Sequence, residues 1–273
     1  MQVTRHAGGL SLVLWSVLAA VLAAQAVKPF EPVVGQEGKD VVWVPTPQSL
    51  VEKMLDMAEV TPQDFVVDLG SGDGRNVIAA AKRGARAQGV EYNPDMVELS
   101  RRNAAEAGVG DRATFVQGDM FEADISKATV MALFLLPDNL RRLTPKFLDL
   151  RPGTRIVGNT FGIGDWLPDQ TERLEDNCES WCTALLWIVP AKVEGVWRLG
   201  DGELALAQSF QMVSGTLTAG GASRPIANGQ LRGEEIAFGA GGAAYSGRVS
   251  GNAMSGTLTD GSTSRPWSAT RVR

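Results

Sequence analysis

Hydrophobic positions in the first 190 residues switch repeatedly between two spacings. Leu50, Val51, Met54, Leu55 and Ala58 recur at helical intervals behind Thr46-Pro47, which reads as a hydroxyl N-cap with proline at the first helical position. Short, nearly continuous apolar runs read as strands: Phe65 to Leu69, Ala87 to Glu91, Ala113 to Gln117, Thr129 to Leu136, Arg155 to Asn159 and Thr183 to Val189. Between them, Asn76 to Arg83 with Gly84 beyond it, Asn93-Pro94 through Ala104 to Gly108, and Leu140 to Leu150 read as helices. The last is expected to break around Pro145. Strands alternating with helices predict a parallel, doubly wound α/β sheet with right-handed crossovers.

Past residue 190 the helical spacing disappears. Fifteen of the 31 glycines fall in residues 192–273. A repeat is present: Ser214-Gly215-Thr216-Leu217-Thr218, followed by Ser223-Arg224-Pro225, returns as Ser255-Gly256-Thr257-Leu258-Thr259, followed by Ser264-Arg265-Pro266. Short alternating runs punctuated by glycine predict a small antiparallel β-domain, either a meander or a barrel closed by two such units. Trp197 and Trp267 lie near its two ends and are expected in its core. The chain thus divides into a leader at 1–27, an α/β domain at 28–190 and a glycine-rich β-domain at 191–273.

The leader carries Arg5, then 21 uncharged residues from Ala7 to Val27, with Ala24-Gln25-Ala26 at the end. That is the composition of a secretory signal, and it is also long enough for an uncleaved membrane anchor. Either reading places the body of the protein at the cell envelope, exported or anchored, with the side of the membrane open. A net charge of −5 and no long Lys/Arg run argue against a nucleic-acid partner. The single histidine, His6, lies in the leader, so the body works without imidazole, which removes His-based triads and most zinc sites. Cys178 and Cys182 either pair or remain as two packed thiols.

The chemistry concentrates where the first strand runs into Asp68-Leu69-Gly70-Ser71-Gly72-Asp73-Gly74-Arg75 and then a helix. Glycines at alternate positions turn the chain sharply and admit a ligand where a Cβ would collide. The loop sits at the carboxyl end of a parallel strand, where open α/β sheets bind cofactors. Its G-x-G-x-G spacing differs from the dinucleotide fingerprint, and no G-K-[ST] follows as in a P-loop. Glu91 ends the second strand 21 positions after Gly70, where a carboxylate accepts bonds from ribose hydroxyls. Asp119 closes the third strand in the equivalent place, suited to an adenine amino group.

These residues together resemble the class I S-adenosylmethionine-dependent methyltransferases over roughly Thr46 to Val189. The resemblance implies a Rossmann-like sheet of seven strands whose last strand is antiparallel, and S-adenosyl-L-methionine as cofactor. It implies that Asp68, Gly70 and Gly72 line the methionine end, with Ser71 and Asp73 in the same loop. Glu91 and Tyr92 would lie at the ribose, and Asp119 with Met120 at the adenine. A narrower likeness rests on Val44-Pro45-Thr46-Pro47, the Gly-Ser-Gly-Asp-Gly-Arg loop, Val90-Glu91-Tyr92-Asn93-Pro94 and Leu136-Pro137. These look like the membrane-anchored protein-lysine methyltransferases, the group that includes the enzyme acting on the c-subunit of ATP synthase. That likeness implies a protein lysine as methyl acceptor, with Phe134, Leu135, Leu136 and Pro137 ending the fourth strand as its apolar slot. The N-P-P-[FY] run used on planar amino groups is missing there. Two other readings stand beside it: a catalytically silent exported binding protein whose β-domain engages an envelope partner, and a methyltransferase acting on a lipid or quinone.

Overall fold

The computed structural model describes residues 1, 2, 4, 30–176 and 178–272. Most of the leader, on which the signal or anchor reading falls, lies outside the described residues. Among those described, no helix is long and apolar enough to cross a membrane.

The first domain is a three-layer α/β/α sandwich. Its helices are α1 (Gln48–Met57), α2 (Arg75–Lys82), α3 (Pro94–Glu106) and α4 (Pro137–Leu148). Its strands are β1 (Phe65–Leu69), β2 (Arg86–Glu91), β3 (Ala113–Gln117), β4 (Val130–Leu133), β5 (Arg155–Asn159), β6 (Gln170–Arg173) and β7 (Thr183–Ile188). The sheet order is β3-β2-β1-β4-β5-β7-β6. Pairing is parallel from β3 through β5, and β7 lies antiparallel between β5 and β6. Alternate strand residues serve opposite faces. Val66, Val130, Ala132 and Val157 pack with α1, α2 and α3, while Val67, Met131, Leu133 and Ile156 pack under α4 with Trp166 and Trp187.

Several local expectations are corrected. The edge strand β6 has no apolar signature: Gln170, Thr171 and Arg173 are exposed, so its sequence reads as loop. Thr46 does not cap α1; Pro47 stands at the N-cap without a side-chain bond, and Thr46 turns inward instead. The fourth strand ends at Leu133, because Leu136 already begins the next helix as its N-cap residue. Helix α4 starts at Pro137 and runs through Pro145 without ending. At α3 the expected cap is present: Asn93 Oδ1 accepts the Asp95 N–H at 2.9 Å ahead of Pro94.

The second domain is a closed antiparallel barrel of eight strands. These are β8 (Gly195–Leu199), β9 (Gly202–Ser209), β10 (Met212–Ala219), β11 (Ala222–Arg232), β12 (Glu235–Ala240), β13 (Ala243–Ser250), β14 (Ala253–Asp260) and β15 (Thr263–Arg271). The repeated segments are β10 and β14, four places apart in the ring, so they face each other across the barrel. Their glycines explain the repeat. A Cβ on Gly215 would lie 1.9 Å from the Ala205 carbonyl oxygen, and one on Gly256 would lie 1.9 Å from that of Ser246. Their leucines, Leu217 and Leu258, point into a core that also holds Trp197 and Trp267.

The two domains are joined by specific contacts. Phe210 stacks on Trp166 with centroids 5.8 Å apart, and Gln211 Nε2 donates to the Leu167 carbonyl at 2.8 Å.

Candidate functional site

The strand order reverses between β1 and β4, and the loops leaving their carboxyl ends diverge to open a crevice there. The glycine loop lines one wall. Gly70, Gly72 and Gly74 adopt φ of 70°, 56° and 83°, the left-handed region that favours glycine. Space closes on them as well: a Cβ on Gly72 would meet Trp43 Nε1 at 2.8 Å, and one on Gly74 would meet the Phe115 ring at 2.7 Å.

Asp68 is the penultimate residue of β1 and is 2 % exposed. Its Oδ2 accepts from Asn76 Nδ2 at 3.1 Å, while Oδ1 has no partner among the described residues. Burial pushes its carboxyl well above the ordinary range, and the nearby charges of Glu91 and Asp73 push the same way against the opposing Asn76 bond. Ser71 Oγ and Asn76 Oδ1 are likewise buried without partners among the described residues. Unpaired buried polar atoms are costly, and three in one place call for a ligand with several donors. An ammonium group fits that need, since it would satisfy the oxygens and neutralise the carboxylate.

Glu91 ends β2 and lies across the loop. Its Oε2 accepts the Gly72 N–H at 2.9 Å and its Oε1 accepts the Asn93 N–H at 2.9 Å. Each oxygen keeps a second lone-pair site for a hydroxyl donor. One carboxylate therefore ties the glycine loop to the start of α3.

Asp73 borders the recess beside Asp68, and its carboxylate is committed to Arg75, whose Nε lies 2.9 Å from Oδ1. Arg75 also reaches the Thr46 carbonyl with Nη1 at 2.6 Å. Tyr92 is half exposed at the rim, and Met120 is buried next to Gly70. Asp119 accepts from the Phe121 N–H at 2.9 Å with Oδ1, and its Oδ2 is bonded by Lys39. The Lys39 ammonium, and after it the Phe121 N–H, hold the Asp119 carboxyl below the usual range.

Sequence reasoning missed the cover of this crevice. Residues 36–44 run over it as a strap, and together with Gly70, Glu91, Tyr92, Asp119, Met120 and Phe134 they bound a cavity of about 670 Å³ including its open mouth. The strap is fastened by Lys39 on Asp119, with the same ammonium 5.0 Å from the Tyr92 ring centre, and by the Asp40 carbonyl accepting from Asn139 Nδ2 at 3.1 Å. The prolines and glycine that flank it, Pro32, Gly35 and Pro45, favour extended chain, but no local pattern says which surface an extended segment crosses. Asn76 was missed for the opposite reason, since a polar residue in a helical pattern is ordinarily read as solvated.

Of the acceptor-side residues, Phe134 borders the crevice, whereas Leu135 packs beneath the loop. Leu136 and Pro137 stand outside at the start of α4, both exposed. A smaller recess joins Phe134 to Thr46, Asp68, Asn76 and the glycine loop, at the end where the unpartnered oxygens gather. Among the described residues no group of three or more His, Cys, Asp or Glu is placed to hold a metal.

The domain that holds this crevice is similar to known proteins. The model of a family described as the ANTKMT methyltransferase domain matches residues 68–170. A protein-lysine N-methyltransferase of Saccharolobus islandicus is 44% identical over 139 residues, which cover 50% of this chain and 86% of that relative. The lysine N-methyltransferase of the ATP synthase c-subunit from Mus musculus is 37% identical over 130 residues, 47% of this chain, which spans only 52% of that relative's length. Among solved structures, an RNA methyltransferase from Salinibacter ruber in complex with S-adenosyl-L-homocysteine is 48% identical, with a TM-score of 0.52, covering 55% of this chain and 96% of that one. S-adenosyl-L-methionine is accordingly the cofactor, and it carries an ammonium group of the kind that the unpartnered oxygens around Asp68 fit. The chain belongs to the family of S-adenosyl-L-methionine-dependent methyltransferases that contains these protein-lysine N-methyltransferases.

Proposed function

We propose that this protein methylates lysine side chains of a protein at the cell envelope. The observation that carries the reading is the end of β4. Phe134 borders both the main crevice and the otherwise mostly polar recess next to Asp68, and it carries an aromatic face to the end that we assign to the acceptor. An amine entering such a slot loses water, which disfavours its charged form and frees the lone pair for attack.

When bound, S-adenosyl-L-methionine supplies a methyl group activated on a sulfonium. The residues of this chain supply position. Asp68, Ser71 and Asn76 hold the ammonium end, Glu91 anchors the loop and offers acceptors to the ribose, and the strap shuts water out. Alignment of this kind supplies roughly 7–11 kcal/mol of a displacement barrier. No side-chain nucleophile is required of the protein. The envelope location is supported by the composition of the leader and by the bond between Cys178 and Cys182, since such bonds persist in oxidising compartments.

RNA is the second reading, favoured by the name of the Salinibacter relative. A net charge of −5 opposes it, because phosphate binding draws on a basic surface. The test is incubation of the full chain with methyl-labelled cofactor and, separately, envelope protein, total RNA and lipid extract from the producing cell. Methyllysine in protein digests supports the proposal. Label confined to RNA or lipid, or absent from all three while cofactor binds, overturns it. Protease protection in intact cells checks the compartment, and a domain shielded by the cytoplasmic membrane removes export from the reading.

A further inference from the structure

We infer that Trp181, held by the Cys178–Cys182 disulfide, is a specificity-determining residue that completes an aromatic wall for a cationic acceptor side chain. The inference deepens the lysine reading above and rests on it.

Three rings meet beyond the end of the sheet. Phe134 follows β4, Phe161 follows β5, and Trp181 immediately precedes Cys182 and β7. Phe134 and Phe161 stack with centroids 6.1 Å apart; Trp181 lies 5.9 Å from the first and 5.3 Å from the second, tilted against both. The rings touch one another, so they form one continuous surface. Phe134 carries that surface into the crevice, and Trp181, 41% exposed, carries it out to solvent. It therefore runs from the reacting end of the site to its mouth.

The backbone is bent to make it. Thr160 adopts φ of 61° and Trp181 φ of 60°, in the left-handed region that a β-branched or bulky residue seldom enters. Thr160 is fixed there by its N–H on the Thr183 carbonyl at 2.7 Å and by the Phe161 N–H on the Asn159 carbonyl at 2.7 Å. Trp181 is fixed by the disulfide that closes around it and by the Leu174 N–H, which donates to the Cys182 carbonyl at 2.9 Å. Backbone conformations of this cost persist where surrounding structure imposes them, and they concentrate at ligand sites. Both outliers here aim or flank a ring of the same wall.

At the foot of the wall two buried oxygens lack partners among the described residues: Asn159 Oδ1 and Thr160 Oγ1. Asn159 is 1% exposed, and its amide donates to Thr46 Oγ1 at 3.3 Å, beside the recess bordered by Phe134. Ring faces attract a cation and pack an unbranched alkyl stem, and oxygens without donors accept from its N–H groups. A primary ammonium on a flexible chain meets both demands. A neutral alkyl chain meets only the packing.

The test is calorimetry on the full chain saturated with S-adenosyl-L-homocysteine, using Nα-acetyl-lysine methyl ester against the norleucine analogue, which lacks the amine. The expected result is at least tenfold tighter binding of the cationic probe. Trp181→Ala should abolish that preference and Trp181→Phe restore most of it, with the affinity for S-adenosyl-L-homocysteine unchanged throughout. Cys178→Ser with Cys182→Ser, or a reducing agent on the native chain, should weaken the cationic probe several-fold. Asn159→Ala should also weaken it, and the exposed Trp181 keeps the test decisive if that buried variant does not fold. Equal binding of the two probes, or an unaltered preference in Trp181→Ala, overturns the inference. Failure of the lysine reading shows differently, as an absence of methyllysine in digests.

Discussion

Asn76 donates its amide to Asp68 Oδ2 across 3.1 Å and leaves Oδ1 of the same carboxylate buried without a partner among the described residues. The ligand-free protein therefore keeps a group that favours its neutral form, while the cationic cofactor favours the charged form. Binding of the cationic group releases the Asp68 proton, so cofactor affinity should rise with pH until the raised value of the ligand-free fold is passed. Stability of the ligand-free protein should run the other way. Between the ordinary carboxyl value of 3.8 and the raised folded value, the folded state holds a proton that the unfolded chain has lost, so stability falls as pH rises. Asp68→Asn should flatten both dependences and weaken S-adenosyl-L-methionine at least tenfold. Calorimetry and denaturant midpoints across pH check this, and an unchanged pH profile of affinity refutes it.

Glu91 accepts two backbone N–H groups, from Gly72 and Asn93, so its removal affects more than a ligand contact. Glu91→Ala should destabilise the domain by about 1–3 kcal/mol and weaken the cofactor at least tenfold. Glu91→Gln should recover part of the stability, since its carbonyl still accepts one amide. Denaturation with and without S-adenosyl-L-homocysteine measures both terms. Full affinity in Glu91→Ala contradicts the ribose assignment.

The Lys39–Asp119 pair fastens the strap at the surface, where salt screens it. Lys39→Ala should speed cofactor release several-fold while leaving the denaturation midpoint in place. Added salt should do the same to the native chain and little to the variant. Stopped-flow displacement of bound S-adenosyl-L-homocysteine reads this directly, and identical release rates exclude a fastening role.

Phe210 reaches from the turn between β9 and β10 to stack on Trp166, with φ of 52° at its own backbone. Phe210→Ala should loosen the junction of the two domains at a cost of about 1–3 kcal/mol. Thermal unfolding followed by helix and by aromatic signals should then separate into two transitions. A single coincident transition refutes coupling through this stack.

Much of this architecture was legible because short buried strands carry their signal locally. Val66-Val67 and Val130 to Leu133 are apolar on both faces, and Asn93-Pro94 announces a helix start whatever lies around it. The glycine loop was legible for the same reason, as were Asp68 and Glu91 at strand ends. What stayed hidden depends on distant partners. β6 is polar and exists as a strand because β7 offers it an edge. Thr46 had the sequence of a cap, but its hydroxyl accepts from Asn159, 113 residues away. The barrel repeat was visible as text. Its closure stood as one of two readings, decided only by the pairing of β15 with β8 from opposite ends of the segment.

The strap also fixes an order of events. Residues 36–44 leave the ribosome before every surface they rest on, and their fasteners at Asp119 and Asn139 are made some eighty to a hundred residues later. The earliest piece of the crevice in the chain can therefore dock only after the sheet end that carries Asp119 and the helix that carries Asn139 are in place. Once it has docked, cofactor exchange is expected at the pace at which the Lys39 fastening opens.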